Sequence, residues 1–352
     1  MKPKIRLMVD SGAYSSWTQN KPISLPEYTE FVLKNQEVID SVVNLDVIQP
    51  GSPETAAAAG RENFLKMREA GVISLPVFHA RESLKWFDLM LEECPYIGIS
   101  ATSLVSPREQ QSFLDLAFHY GTDSKGYPIA KYHAFGDTAP KSLLSYPWFS
   151  CDSATWMISG CRAGSVKLKG KTYRLRSKVV SDTNYISDHD ALPQKEAWQN
   201  EFRMLGLDPD AVMSVKTTPS QLAMIRSYLV ASDILKLQEQ TRGVTRFKKP
   251  GALIINKKQE AGGIEREGPI RVIFVISPSA AFMNFPVICA LGIKDILASY
   301  FYIAKEKPRF WHERLVPFLH DPMAFIKSDM KMSAFYSKLQ EVLLKKESTI
   351  LV

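Results

Sequence analysis

Lys131-Tyr132-His133-Ala134-Phe135-Gly136, followed after a short gap by Ser150-Cys151-Asp152-Ser153-Ala154-Thr155-Trp156, is the stretch from which the fold is read. Residues 131–135 read as a short strand that breaks at Gly136, and residues 139–145 as a helical turn or short helix. Residues 148–151 form a second apolar run that delivers Asp152 at its end. A carboxylate just past a buried strand, in a chain that alternates strands and helices, stands where α/β proteins place their chemistry. Asp152 is therefore the candidate nucleophile.

Upstream of this stretch the same unit repeats. Residues 5–9 form an apolar strand that ends in Asp10-Ser11-Gly12-Ala13-Tyr14-Ser15, and Ser24 caps a helix that has Pro26 in its first turn. Residues 39–45 read as a strand ending on Asp46, 53–70 as a helix stopped by Gly71, and 74–78 as a strand ending on His79. Residues 81–93 follow as a helix, 96–99 as a strand, and 107–119 as a helix. Units of this length are the period of βαβ repeats, and short apolar strands suit a parallel sheet covered on both faces. No GxGxxG follows the first strand, so a closed barrel is favoured over an open doubly wound sheet. The expected fold is a (β/α)8 TIM-barrel with insertions and a C-terminal helical extension. Residues 1–303 form the barrel, with basic insertions at about 160–178 and 241–268, and residues 304–352 form the extension.

Downstream, residues 160–178 carry Arg162, Lys167, Lys169, Lys171, Arg174, Arg176 and Lys178 without an acid, alternating with apolar residues as in a β-hairpin with one basic face. Residues 179–182 read as another strand, and 194–205 and 219–240 as helices. Residues 241–258 are again basic. Residues 271–276 read as the last barrel strand, and 295–304 and 327–346 as helices.

Composition narrows the class. At 45% hydrophobic and 23% charged the chain is of globular type, and the apolar run 282–303 is broken by Asn284, Lys294 and Asp295, which argues against a membrane span. No charged-then-apolar leader precedes residue 5, so no secretion signal is expected and the location expected is cytoplasmic. Cys94, Cys151, Cys161 and Cys289 show no CxxC or Cys/His spacing, so zinc is not expected and the thiols read as free. The net charge of +7 gives nucleic-acid binding only a small lift.

Asp10, Asp46, His79 and Asp152 stand at strand ends, which in a barrel share one mouth. Paired carboxylates facing one substrate are what glycosyl transfer through a covalent intermediate requires. Taken singly, each is equally well a turn or cap residue.

Asp10-Ser11-Gly12-Ala13-Tyr14 resembles the DSGGF-type motif of the tRNA-guanine transglycosylases, and more closely the DSGAF form of their DNA-acting relatives in phages and bacterial modification clusters. Residues 150–156 resemble the DSxSW nucleophile segment of that phage branch. Asn44-Leu45-Asp46 falls where the superfamily has its base-recognising aspartate, and Tyr96-Ile97-Gly98-Ile99 where a strand backbone lines the base pocket. Residues 273–278 and 298–302 look like late motifs of the branch. The resemblance covers nearly the whole chain, and its specific motifs are those of Asp10 and Asp152.

It implies a pentosyltransferase that replaces guanine in DNA by a 7-deazaguanine of the preQ0 type, with the free base as co-substrate and no cofactor. Asp152 would be the nucleophile, Asp10 the general base, and Asp46 the acceptor for the donor edge of the base. His79, Gly98 and Tyr14 would line the base pocket, each with ordinary packing as its plain alternative. Arg162, Lys167, Lys169, Lys171 and Arg174 would contact the nucleic-acid backbone, and Trp17 or Trp156 would line the pocket or fill the gap left by a flipped base. The cysteine and histidine ligands of the zinc subdomain found in the tRNA enzymes have no counterpart here, which weakens a tRNA substrate. The same exchange on tRNA, an inactive nucleic-acid-binding barrel and a nucleoside hydrolase remain the alternatives. The base inserted, the sequence context, the need for a partner and the oligomeric state, with a homodimer through the C-terminal helix among the options, stay open at this stage.

Overall fold

The structure is a computed structural model that describes residues 3–47, 52–101, 106–162, 165–168, 171–174, 196, 199–200, 202–204, 206–212, 217–248 and 262–343; for 159–162, 165–168 and 171–174 it describes the backbone alone. The fold is α/β. Its first half alternates β1 (Arg6–Asp10), α1 (Ala13–Thr18), α2 (Leu25–Lys34), β2 (Ser41–Val42), α3 (Pro53–Glu69), β3 (Val77–His79), α4 (Leu84–Glu93), β4 (Tyr96–Ser100), α5 (Pro107–Tyr120), β5 (Lys131–Ala134), α6 (Pro140–Ser145) and β6 (Ser150–Ser153). After these come α7 (Thr155–Arg162), the hairpin β7 (Ser165–Leu168) and β8 (Lys171–Arg174), α8 (Pro209–Val212), α9 (Pro219–Gln240), β9 (Arg271–Ile276), α10 (Ala281–Leu291) and β10 (Asp295–Ser299). Two π-helical turns (Phe301–Glu306 and Trp311–Leu315), α11 (Val316–His320), α12 (Pro322–Ser328) and α13 (Met330–Val342) complete the described chain.

Eight strands form one parallel sheet in the order β2-β1-β10-β9-β6-β5-β4-β3. The sheet curls until its edges meet: Val43 and Leu75 form a parallel bridge, with Leu75 N–H donating to Val42 O at 2.7 Å and Asn44 N–H donating to Leu75 O at 2.9 Å. The arrangement is compatible with a TIM-like fold. Side chains alternate across each strand. Met8, Val43, Leu75, Val77, Ile273 and Leu297 meet as one buried cluster with Tyr96, Phe135 and Val275 against it. Phe78, of opposite parity to Val77, stacks instead on Phe87 of α4 at 4.7 Å. Burying each such side chain contributes about 1.5–3 kcal/mol.

The strand starts are tied by charge. Asp295 Oδ1 accepts from Arg6 Nε at 2.8 Å and Arg271 Nε at 2.6 Å, and its Oδ2 accepts from Arg6 Nη2 at 2.7 Å. This joins β1, β10 and β9 at one end. The register pairs Asp10 with Ser299, and Asp152 with Ile273, at the other.

Contacts divide the chain into two compact units. One holds the curled sheet (Met1–Ser153, Leu235–Pro278 and Asp295–His320); the other comprises Ala154–Ile234, Ser279–Lys294 and Asp321–Val352. Within the second, α10 packs on α12 and α13, and the buried Lys338 Nζ donates to Ala211 O at 3.3 Å and pairs with Glu341 at 2.9 Å. No helix among the described residues is long and apolar enough to cross a membrane.

Several elements differ from the sequence reading. Residues 295–299 are a strand, not the start of a helix, so β10 and not β9 is the last strand of the sheet. A short apolar run buried on both sides has no period to separate strand from helix. The strand expected over 39–45 is reduced to Ser41–Val42 plus the bridge at Val43. The helix expected from residue 81 begins at Leu84, because Arg81 takes a left-handed φ of 76° and Ser83 caps the helix by accepting from Lys85 N–H. The expected hairpin exists as antiparallel β7 and β8, but residues 160–162 belong to α7. The strand expected at 179–182 lies outside the described residues.

Gly12 links fold and site. Its φ is 79°, and an added Cβ would run into Ser299 Oγ and Phe301 Cβ. Gly12→Ala is expected to cost at least about 2 kcal/mol from the left-handed backbone and the overpacking together. The fall in urea midpoint at constant m-value measures it.

Candidate functional site

Strand β1 ends on Asp10, and the turn after it bends back so that Gly12 N–H donates to Asp10 Oδ2 at 2.9 Å. Asp46 follows β2, and His79 closes β3. His79 Nε2 lies 3.1 Å from Asp46 Oδ2. The backbone N–H of His79 donates to Glu82 Oε2 at 3.0 Å. These groups line one cavity of about 770 Å³ at the C-terminal ends of the strands. Tyr14 and Trp17 of α1 also line it, with ring centres 6.2 Å apart and half or more of each side chain exposed. The cavity continues between α3 and α4, past Ala57, Gly60, Phe64, Trp86 and Met90. Its size suits an organic ligand of moderate size.

Carboxylates crowd this end of the sheet. Burial pushes Asp10 up to about 7, and the charges of Asp46 and Asp152 push the same way against the Gly12 and Ser11 N–H groups. Glu82 is also pushed up to about 7, chiefly by burial, with Asp46 and Glu54 adding to it and His79 opposing. For His79, burial lowers the pKa, but Asp46 and Glu82 outweigh it and the net shift is upward. Groups poised near neutrality in a cavity are suited to moving protons.

Asp152 stands in β6, 7% exposed, and is not part of the cavity wall. Its Oδ1 accepts from Gly136 N–H at 2.7 Å and lies 3.3 Å from Nε2 of the fully buried His133. Asp152 is nonetheless close enough to Asp10 to act on its ionisation. Ser299 Oγ, on the strand position paired with Asp10, is buried without a hydrogen-bond partner among the described residues.

Of the residues singled out from sequence, Asp10, Asp46, His79 and Tyr14 therefore share the cavity, and Asp152 lies outside its wall but within reach of Asp10 by charge. Gly98 does not open the backbone to a ligand, because the Phe135 ring and the Leu75 side chain occupy the space a Cβ would take. Trp156 is completely buried and is a packing residue, whereas Trp17 lines the cavity. Lys169 and the side chains of Arg162, Lys167, Lys171 and Arg174 lie outside the described residues. Sequence reasoning missed Glu82, Arg81 and Phe135 in the wall and His133 behind Asp152. Glu82 reads as the opening of a helix. His133 sat in the most informative stretch of the chain, but a lone histidine inside an apolar strand gives no functional signal by itself.

No protein-family model, curated protein or solved structure matches the chain.

The raised pKa of Asp10 has a consequence for stability. The folded value of about 7 exceeds the unfolded one near 4, so folding favours the protonated acid. Stability is full below the unfolded pKa, falls as pH rises through the interval, and levels off above about 7. Asp10→Asn removes that penalty. It is expected to stabilise the protein by an amount on the order of 1–4 kcal/mol at pH 8, shrinking toward pH 4. Thermal denaturation of both proteins across this range is the check.

Proposed function

We propose that the chain is a DNA-guanine transglycosylase built on a (β/α)8 barrel, exchanging guanine in DNA for a 7-deazaguanine of the preQ0 type. The observation that carries this reading is that Asp10 and Asp46 line one cavity at the strand ends of a curled parallel sheet, where burial, and then the charges of Asp46 and Asp152, hold the Asp10 pKa up to about 7. The motifs around Asp10 and Asp152 supply the reaction class.

In the proposed reaction, an Asp152 carboxylate oxygen bonds to C1′ as the C1′–N9 bond breaks, and the departing electron pair on guanine N9 takes the proton of Asp10. The incoming base then returns a proton from its own N9 to Asp10, and N9 attacks C1′ and displaces Asp152. One residue thus serves as acid and then as base, which a pKa of about 7 permits. Asp46, with one oxygen on His79, offers the other to the N1–H and amino edge of the base. Tyr14 and Trp17 present aromatic faces for stacking. The target nucleotide leaves the duplex stack before C1′ reaches Asp152. Arg162 and the basic hairpin that follows α7 in the chain bind phosphates. No cofactor enters these steps.

Guanine exchange tests the proposal. Protein mixed with labelled guanine and duplex DNA, single-stranded DNA or tRNA is expected to place label in DNA, and Asp152→Ala to lose roughly 10⁴-fold or more of that activity. Label in tRNA alone would overturn the substrate and keep the chemistry; activity that survives Asp152→Ala would overturn the nucleophile. The pH profile gives a second check. Guanine release from DNA needs the proton on Asp10, so its rate is expected to fall as pH rises above about 7, and Asp10→Asn is expected to abolish that limb.

A further inference from the structure

Behind Asp152 a line of polar side chains runs inside the curled sheet. His133 of β5 is completely buried, its ring edge-on to Phe135 at 4.5 Å and to Tyr96 at 6.4 Å between centres. Its Nδ1 lies 2.7 Å from Ser150 Oγ, which lies 2.5 Å from Tyr96 OH. Its Nε2 lies 3.3 Å from Asp152 Oδ1, off the line of a well-formed hydrogen bond, and has no other partner among the described residues. Strand pairing sets this geometry: His133 is in register with Ser150 on β6 and with Gly98 on β4, and Asp152 is two residues beyond Ser150 on the same face.

We propose that His133 is a positioning residue for Asp152, donating from Nε2–H to Oδ1 alongside Gly136 N–H so that the second carboxylate oxygen is presented for attack. Proton directions along the line agree with this. Tyr96 is pushed up to about 12, chiefly by burial, so its phenol keeps its proton, and in the proposed line that proton goes to Ser150 Oγ. Ser150 O–H then donates to His133 Nδ1, which leaves the ring proton on Nε2, facing the carboxylate. Two donors on one oxygen fix the carboxyl plane and lower the nucleophilicity of that oxygen relative to its twin. A contact that is poorly aligned before substrate binds is common at such sites and tightens as the reaction complex forms. The consequence for exchange rests on the transglycosylase reading of Asp152, whereas the contact between the two side chains does not.

Two variants and one spectrum test the proposal. His133→Phe keeps a ring against Phe135 and Tyr96 but removes both nitrogens. His133→Gln keeps an N–H within reach of Asp152. His133→Phe is expected to lower kcat for guanine exchange on the order of 10²-fold with KM for DNA unchanged, and His133→Gln to recover roughly tenfold of the loss. Wild-type kcat in His133→Phe, or no recovery by a folded His133→Gln, would overturn the proposal. In parallel, nitrogen NMR of histidine-labelled protein without substrate is expected to show the His133 Nε2 resonance, assigned by its loss in His133→Gln, moving in Asp152→Asn. A resonance that stays in place would overturn the coupling even where no exchange is measured. A resonance that moves, with no exchange by the wild type on any polymer, would support the contact and remove the transglycosylase reading instead.

Discussion

Like charges at short range govern this end of the molecule. A curled parallel sheet brings its strand ends together, and three of them deliver aspartates: Asp10 as the last residue of β1, Asp46 after β2 and Asp152 in β6. Carboxylates so close cannot all ionise cheaply, so one of them keeps its proton to a higher pH, and the burial of Asp10 selects that residue. Asp46 is paired with His79, and Asp152 accepts from Gly136 N–H.

The opposite end of the sheet follows the inverse logic. There Asp295 lies between two guanidinium groups from the neighbouring strands, Arg6 and Arg271, with Asp40 a further carboxylate near Arg6. Between the ends lies an apolar layer around Met8, Val43, Leu75, Val77, Ile273 and Leu297. Burial of that layer contributes stability that offsets the cost of the buried acid Asp10. Gly12 illustrates how tight the functional end is: its left-handed turn brings the chain against Ser299, the residue facing Asp10 across the β1–β10 ladder.

Much of this was legible from the chain, because apolar runs ending in a polar residue mark β1, β4 and β6, and Pro-led helices with serine caps mark α2, α3 and α5. The placement of Asp10, Asp46 and His79 at one mouth followed from that alternation. What escaped were features that local pattern does not encode. Residues 295–299 carry Ile296, Leu297 and Ala298 buried on both sides, a run that looks alike as helix or strand. Arg81 adopts a left-handed backbone that no side-chain signal announces, and the resulting turn carries Glu82 into the cavity. Gly98 read as a place where the backbone could approach a base, and the ring that fills the space, Phe135, comes from the turn just after the neighbouring strand β5. Trp156 follows Asp152 by four residues yet turns into a core, because α7 begins at Thr155.

The ionisation of Asp10 reports most directly how burial and the charges of Asp46 and Asp152 act at this end of the sheet. Carbon NMR of side-chain-labelled aspartate, with Asp10 assigned by Asp10→Asn, would follow its carboxyl through a titration in the wild type and in Asp152→Asn. A midpoint near 7 is expected in the wild type and a lower one once the Asp152 charge is removed. A wild-type midpoint near 4, or one that Asp152→Asn leaves in place, would contradict it.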